Sequence, residues 1–113
     1  MLTVRDDQLA ALETGRDERL VHRIADFLRE TSPAPAAAAG ADGLHALVVA
    51  ALARSRSWDV RIEWDACRFA LFCLELGLDM DRRPWAHAIL SDAELSVTER
   101  IDALEHVWAN YLR

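Results

Sequence analysis

Between Glu63 and Leu76 the apolar residues Trp64, Cys67, Phe69, Leu71, Phe72, Leu74 and Leu76 fall on nearly every side of a helix. A helix that is apolar all round must be enclosed by other elements. This segment therefore predicts the central helix of a bundle, over about residues 63–76, ended by Gly77, which suits the left-handed position after a helix. The rest of the chain has to supply the cover.

The cover reads as further helices. Leu9, Leu12, Leu20, Ile24, Phe27 and Leu28 recur at helical spacing up to about Thr31. Thr3 is a candidate N-cap, and Asp6 places negative charge in the first turn. Gly15 interrupts the pattern, which reads as one long helix with a weak point. Ser32-Pro33-Ala34-Pro35 ends it, because proline lacks a donor and disfavours helix in the residue before it. Residues 32–43, SPAPAAAAGADG, read as a mobile Ala/Pro-rich loop inside a single domain spanning 1–113.

Asp42 then caps a helix with Leu44, Leu47, Val48, Ala51 and Leu52 on one face, ending near Arg56 or Ser57. Trp58 to Ile62 is a short connector. After Gly77 comes an acidic turn with Asp79 and Asp81, and Pro84-Trp85 opens a short helix running to Leu90. A capping box, Ser96 to Glu99, opens the last helix, which carries Ile101, Leu104, Val107, Trp108, Tyr111 and Leu112 on one side. With no alternating strand pattern and no repeat, the predicted class is all-α: a compact bundle of four to five helices without a sheet. The stripe on the last helix serves either the domain's own core or a homodimer.

Composition narrows the function classes. The 113 residues carry a net charge of −6, and all thirteen basic residues are Arg. That balance argues against a nucleic-acid binder, which needs a basic stripe. The longest uninterrupted apolar run, Ala46 to Ala53, is far short of the ~18 residues of a membrane span, so no membrane association is expected. The start, MLTVRDDQ, has no basic segment before an apolar one and reads as cytoplasmic rather than exported. Cys67 and Cys73, six positions apart on one helix, point about 240° apart and cannot bridge; they read as reduced, partly buried small hydrophobes.

No catalytic constellation emerges. Asp79 and Asp81 are followed by Arg82, Arg83 and Pro84 rather than by calcium ligands, so they read as an acidic turn salt-bridged to its Arg neighbours. His22, His45, His87 and His106 stand singly, without metal-ligand spacing, and neither a nucleophile motif nor a phosphate-cradling glycine loop is present. The expectation is a chain that is not an enzyme, with no cofactor and no metal. Among the four tryptophans, Trp108 reads as core and Trp64 as core or half-buried, whereas Trp58 and Trp85 sit at element boundaries where an aromatic can anchor a partner. Trp58, Arg61, Asp79, Asp81, Arg83 and Trp85 are accordingly the candidate protein-binding surface.

The stretches MLTVRDDQLAAL, WDVRIEWDACRFALFCLELGLDMD and PWAHAILSDAELSVTERIDAL resemble a family of small helical proteins encoded in bacterial type VI secretion effector clusters. The likeness covers most of the chain apart from 32–43, where several family members have a longer, more charged segment. The resemblance implies an accessory protein, an adaptor or co-chaperone, that binds an effector, its chaperone or the spike-tip protein. It supplies no catalytic residues. The alternative is an immunity protein that neutralises a cognate toxin, an acidic helical fold suiting the inhibition of a basic one.

Overall fold

The computed structural model describes the backbone of residues 2–112 and the side chains of 17–111. It is all-α: α1 Leu2–Thr31, α2 Pro33–Ser57, α3 Glu63–Leu76, α4 Pro84–Leu90 and α5 Val97–Val107, with a 3₁₀ turn at Met80–Arg82 and a π-type turn at Trp108–Leu112. No strand occurs among the described residues. The side chains invoked for a Thr3 cap, with Leu9 and Leu12, lie outside those described; the α1 backbone runs unbroken through Gly15.

The central-helix expectation holds. Every residue from Asp65 to Cys73 is buried, with α1 and α2 packed on it and on each other, and α5 against its other side. Phe69, Phe72, Ile24, Leu28, Leu44, Val48, Met80, Ile101 and Leu104 fill the interior, and Trp108 meets Phe72 edge-on at 5.9 Å between centroids. The stripe of the last helix is thus consumed largely within the domain, while Tyr111 at its end is 75% exposed. Trp64 departs from expectation: it is 56% exposed.

The Ala/Pro segment is a second correction. Pro33 occupies the first turn of α2, where its missing N–H costs nothing and its fixed φ suits a helix. The same prolines that stop α1 therefore start the next helix, and four successive alanines continue it. Gly40, at φ 76° and ψ 167°, breaks it, and the helix resumes with Asp42 in the new first turn rather than as its cap. Ser32, buried in the joint, donates its hydroxyl to Glu75 of α3. Over an 18-residue window α2 is also, by length and composition, apolar enough to cross a bilayer, with a mean hydropathy of 1.6, although its longest uninterrupted apolar run is far shorter. Much of that value is alanine; Leu44, Val48 and Leu52 are buried in the core, while Val49 is 45% exposed.

Two irregular joints hold the helices in place. At the end of α2, Val60 N–H donates to Ser55 O and Asp59 N–H to Arg56 O, both at 3.0 Å, with Asp59 at φ 63°. This is a Schellman closure with aspartate in the left-handed position and a buried apolar residue, Val60, after it. At the end of α3, Gly77 adopts φ 106° and ψ 155°, a region essentially restricted to glycine. The capping box at the start of α5 forms as expected, Glu99 N–H donating to Ser96 Oγ and Ser96 N–H to Glu99 Oε1.

Two glycines separate conformation from space. Gly77→Ala should lower stability by about 1–3 kcal/mol, since its Cβ would also sit 3.0 Å from Asp79 Oδ1. Gly43→Ala, inside α2 with only Ala39 Cβ at 3.8 Å, should raise it by about 0.5–1 kcal/mol. Urea denaturation of both variants checks the opposite signs.

Candidate functional site

The six candidate residues do not form one surface. Asp81 is 5% exposed and its carboxylate is taken up inside the fold. Oδ1 accepts from Arg54 Nη2 at 2.5 Å and Nε at 3.2 Å, and Oδ2 accepts from Trp58 Nε1 at 3.0 Å. The acidic turn is therefore not paired with its Arg neighbours, as local sequence suggested, but with residues more than twenty positions upstream. Arg83 instead donates to the Leu76 carbonyl at 2.5 Å, satisfying the end of α3. His87 of α4 meets the Trp58 ring edge-on at 5.6 Å, and Trp85, in the first turn of α4, is half-buried against the core. Asp79 is exposed beside Gly77, and Arg61 lies elsewhere, exposed and paired with Asp59 at 3.3 Å.

Burial raises the Asp81 carboxyl, but the hydrogen bonds from Arg54 and Trp58 outweigh it and hold the group below its usual range. Trp58 and Asp81 are thus brought together as a latch between α2 and the 3₁₀ turn. Both cysteines are buried and unbridged, and burial drives the Cys73 thiol up to about 12, so it stays protonated at neutral pH. His22 and His45 meet near Glu18, with Nε2 to Oε2 distances of 3.9 and 3.6 Å, a proximity invisible in the sequence. Even so, no group of three or more His, Cys, Asp and Glu among the described residues is arranged to hold a metal ion.

The surface that sequence reasoning missed lies where α1 meets the start of α3. Ile62 and Trp64 are 57% and 56% exposed. Trp64 rests edge-on against Phe27 of α1, at 5.4 Å between centroids, and lies under the Arg68 guanidinium, 5.9 Å from its Cζ. Ile62 also borders a cleft of about 710 Å³ lined by Leu20, Leu52, Val60 and Ala66 and rimmed by Arg19, Arg23, Arg56 and Arg61 with Asp17 and Glu63. Arg56 grips Asp17 through two bonds of 2.6 and 3.0 Å, which hold the Asp17 carboxyl below its usual range. Arg23 grips Glu63 at 2.6 and 2.9 Å. The available signal was the succession Arg61-Ile62-Glu63-Trp64, a helix start where a wholly enclosed helix would not yet need apolar cover.

No protein-family model, curated protein or solved structure matches this chain.

Removing the latch should be felt in a pH-dependent way. Asp81→Ala leaves Arg54 and the Trp58 N–H without their acceptor and should cost about 1–3 kcal/mol at neutral pH. Because the folded carboxyl titrates below its unfolded value of about 3.9, its stabilisation is complete above that value and is lost as the pH falls through the folded one. Urea midpoints should show the gap between wild type and variant widest at neutral pH and narrowing in acid.

Proposed function

We propose that this chain is a non-enzymatic protein-binding accessory factor of a type VI secretion effector locus, acting as an adaptor or co-chaperone on an effector, its chaperone or the spike-tip protein. The observation that carries the binding role is the pair Ile62 and Trp64, both more than half exposed at the start of α3. A large aromatic exposed on a rigid helix start, propped by Phe27 and flanked by arginines, has the composition of an interface hot spot. The locus rests on the resemblance carried by the N-terminal segment, the central helix and the 84–104 region.

The binding surface moves accordingly. Asp81 and Trp58 are engaged with each other, so the docking residues are Ile62, Trp64 and Arg61 rather than the acidic turn. An immunity role against a basic toxin would call for an acidic face, whereas the exposed aromatic here is flanked by guanidinium groups.

The double variant Ile62→Ser with Trp64→Ala should reduce co-purification of the tagged protein with the products of its flanking genes by about tenfold or more, with helical content unchanged by circular dichroism. Asp79→Ala should retain capture. Equal capture by the double variant would sink the assignment. Rescue of cells from a flanking toxin, with secretion unaffected, would favour the immunity role instead.

A further inference from the structure

The cleft beside Ile62 reverses the charge of the molecule around it. The chain carries −6 overall, yet among the described residues the cleft is lined by Arg19, Arg23, Arg56 and Arg61 against Asp17 and Glu63. Both carboxylates are already engaged, Asp17 by Arg56 and Glu63 by Arg23. These two pairs run from α1 to the end of α2 and from α1 to the start of α3, so they brace the walls and add no net charge. Arg19 and Arg61 supply the surplus. Arg19 has no ion pair among the described residues, and Arg61 is 73% exposed with only a 3.3 Å contact to an equally exposed Asp59. A pair of that kind contributes about 0–1 kcal/mol, so a better acceptor readily displaces it.

Between the charged rims the floor is apolar, with Leu52, Val60 and Ala66 buried and Leu20 half-buried. We propose that the cleft binds a short acidic peptide segment of a partner protein, its carboxylates on Arg19 and Arg61 and an interleaved leucine-sized side chain on the Leu20–Leu52–Val60 floor. This rests on the protein-binding reading above and names the chemistry of its partner. A volume of about 710 Å³ accommodates a few residues and no folded domain. An extended peptide spaces successive residues by about 3.3–3.6 Å and can place its charges at the two available guanidinium groups while avoiding the Asp17 and Glu63 walls. A compact multiply charged phosphate cannot separate its charges in that way and meets both carboxylates. Planar guanidinium forks match carboxylates bidentately, so an arginine rim suits this ligand better than lysines would.

Fluorescence polarisation of a labelled peptide that interleaves Asp and Glu with Leu tests the assignment on the full chain. Saturable binding is expected, weakened about tenfold or more by Arg19→Glu with Arg61→Glu, and weakened likewise when the peptide carries Asn and Gln in place of its acids. Both arginines are exposed, and an unchanged circular dichroism spectrum confirms that the double variant folds. Equal binding by the amide peptide, unchanged binding by the charge-reversed variant, or full competition by inorganic pyrophosphate would each overturn the proposal. If the peptide does not bind while Ile62 and Trp64 remain necessary for capture of a flanking-gene product, the cleft assignment falls and the protein-binding reading stands. Peptide binding without any such capture supports the cleft and overturns the locus.

Discussion

Arg68 is the charge around which the bundle closes. It lies in the middle of the most buried helix, 6% exposed, and donates to Asp65 at 2.9 Å, to Asp102 at 2.6 Å and to Glu105 at 3.1 Å. Asp65, itself 1% exposed, accepts the Thr98 hydroxyl at 2.7 Å. Burying a guanidinium is costly unless carboxylates meet it, and two of those partners come from α5. The docking of α5 on α3 is therefore specified by charge as well as by Phe72 and Trp108. Desolvation acts to lower the Arg68 pKa, but the three carboxylates outweigh it and keep the group cationic. Its Nε has no hydrogen-bond partner among the described residues, and the same guanidinium lies over the Trp64 ring. That contact ties the buried network to the exposed aromatic: Trp64 stays at the surface because it covers a cation instead of entering the core.

The same logic recurs at the joints. Helix ends leave backbone groups unsatisfied, and in this chain arginine side chains close them or clamp the segments beside them to carboxylates distant in sequence. Arg83 closes α3, Arg54 holds the turn that follows it through Asp81, and Arg56 and Arg23 fasten α2 and α3 to α1. With every basic residue an arginine, these contacts use a planar donor fork that fixes direction as well as distance.

The helices were readable from the sequence because their signals are local. The periodicity of α3, the glycine after it, the proline before α4 and the Ser96–Glu99 box each involve residues within a turn or two of one another. The failures share the opposite property. Whether Asp81 pairs with Arg82 or with Arg54 depends on which groups tertiary packing brings within 3 Å, and the local choice was the wrong one. Helix-wide apolarity points Trp64 into the core or half-way into it, and cannot show that Arg68 requires a cover. Pro and Gly as breakers predict a loop over 32–43, although Pro in the first turn of a helix is favourable. For the site, Arg61 was the one candidate residue that the structure places at the new surface. Its neighbours there, Arg19, Arg23 and Arg56, come from two other helices, and no spacing rule connects them.

A cleft walled by ion pairs has its shape set by the fold and not by a ligand. Asp17–Arg56 and Glu63–Arg23 each cross between elements, so the opening between α1, α2 and α3 is held before anything enters it. Preorganisation of this kind lowers the ordering cost of binding. It also divides the work among the arginines: two are committed to the walls, and two remain for a ligand. The exposed Ile62 and Trp64 stand next to that opening on the same helix start, one bordering the cleft and the other propped on Phe27. An apolar anchor and a cationic groove thus share one rigid edge, which allows a single partner segment to be gripped by its hydrophobic and its acidic residues together.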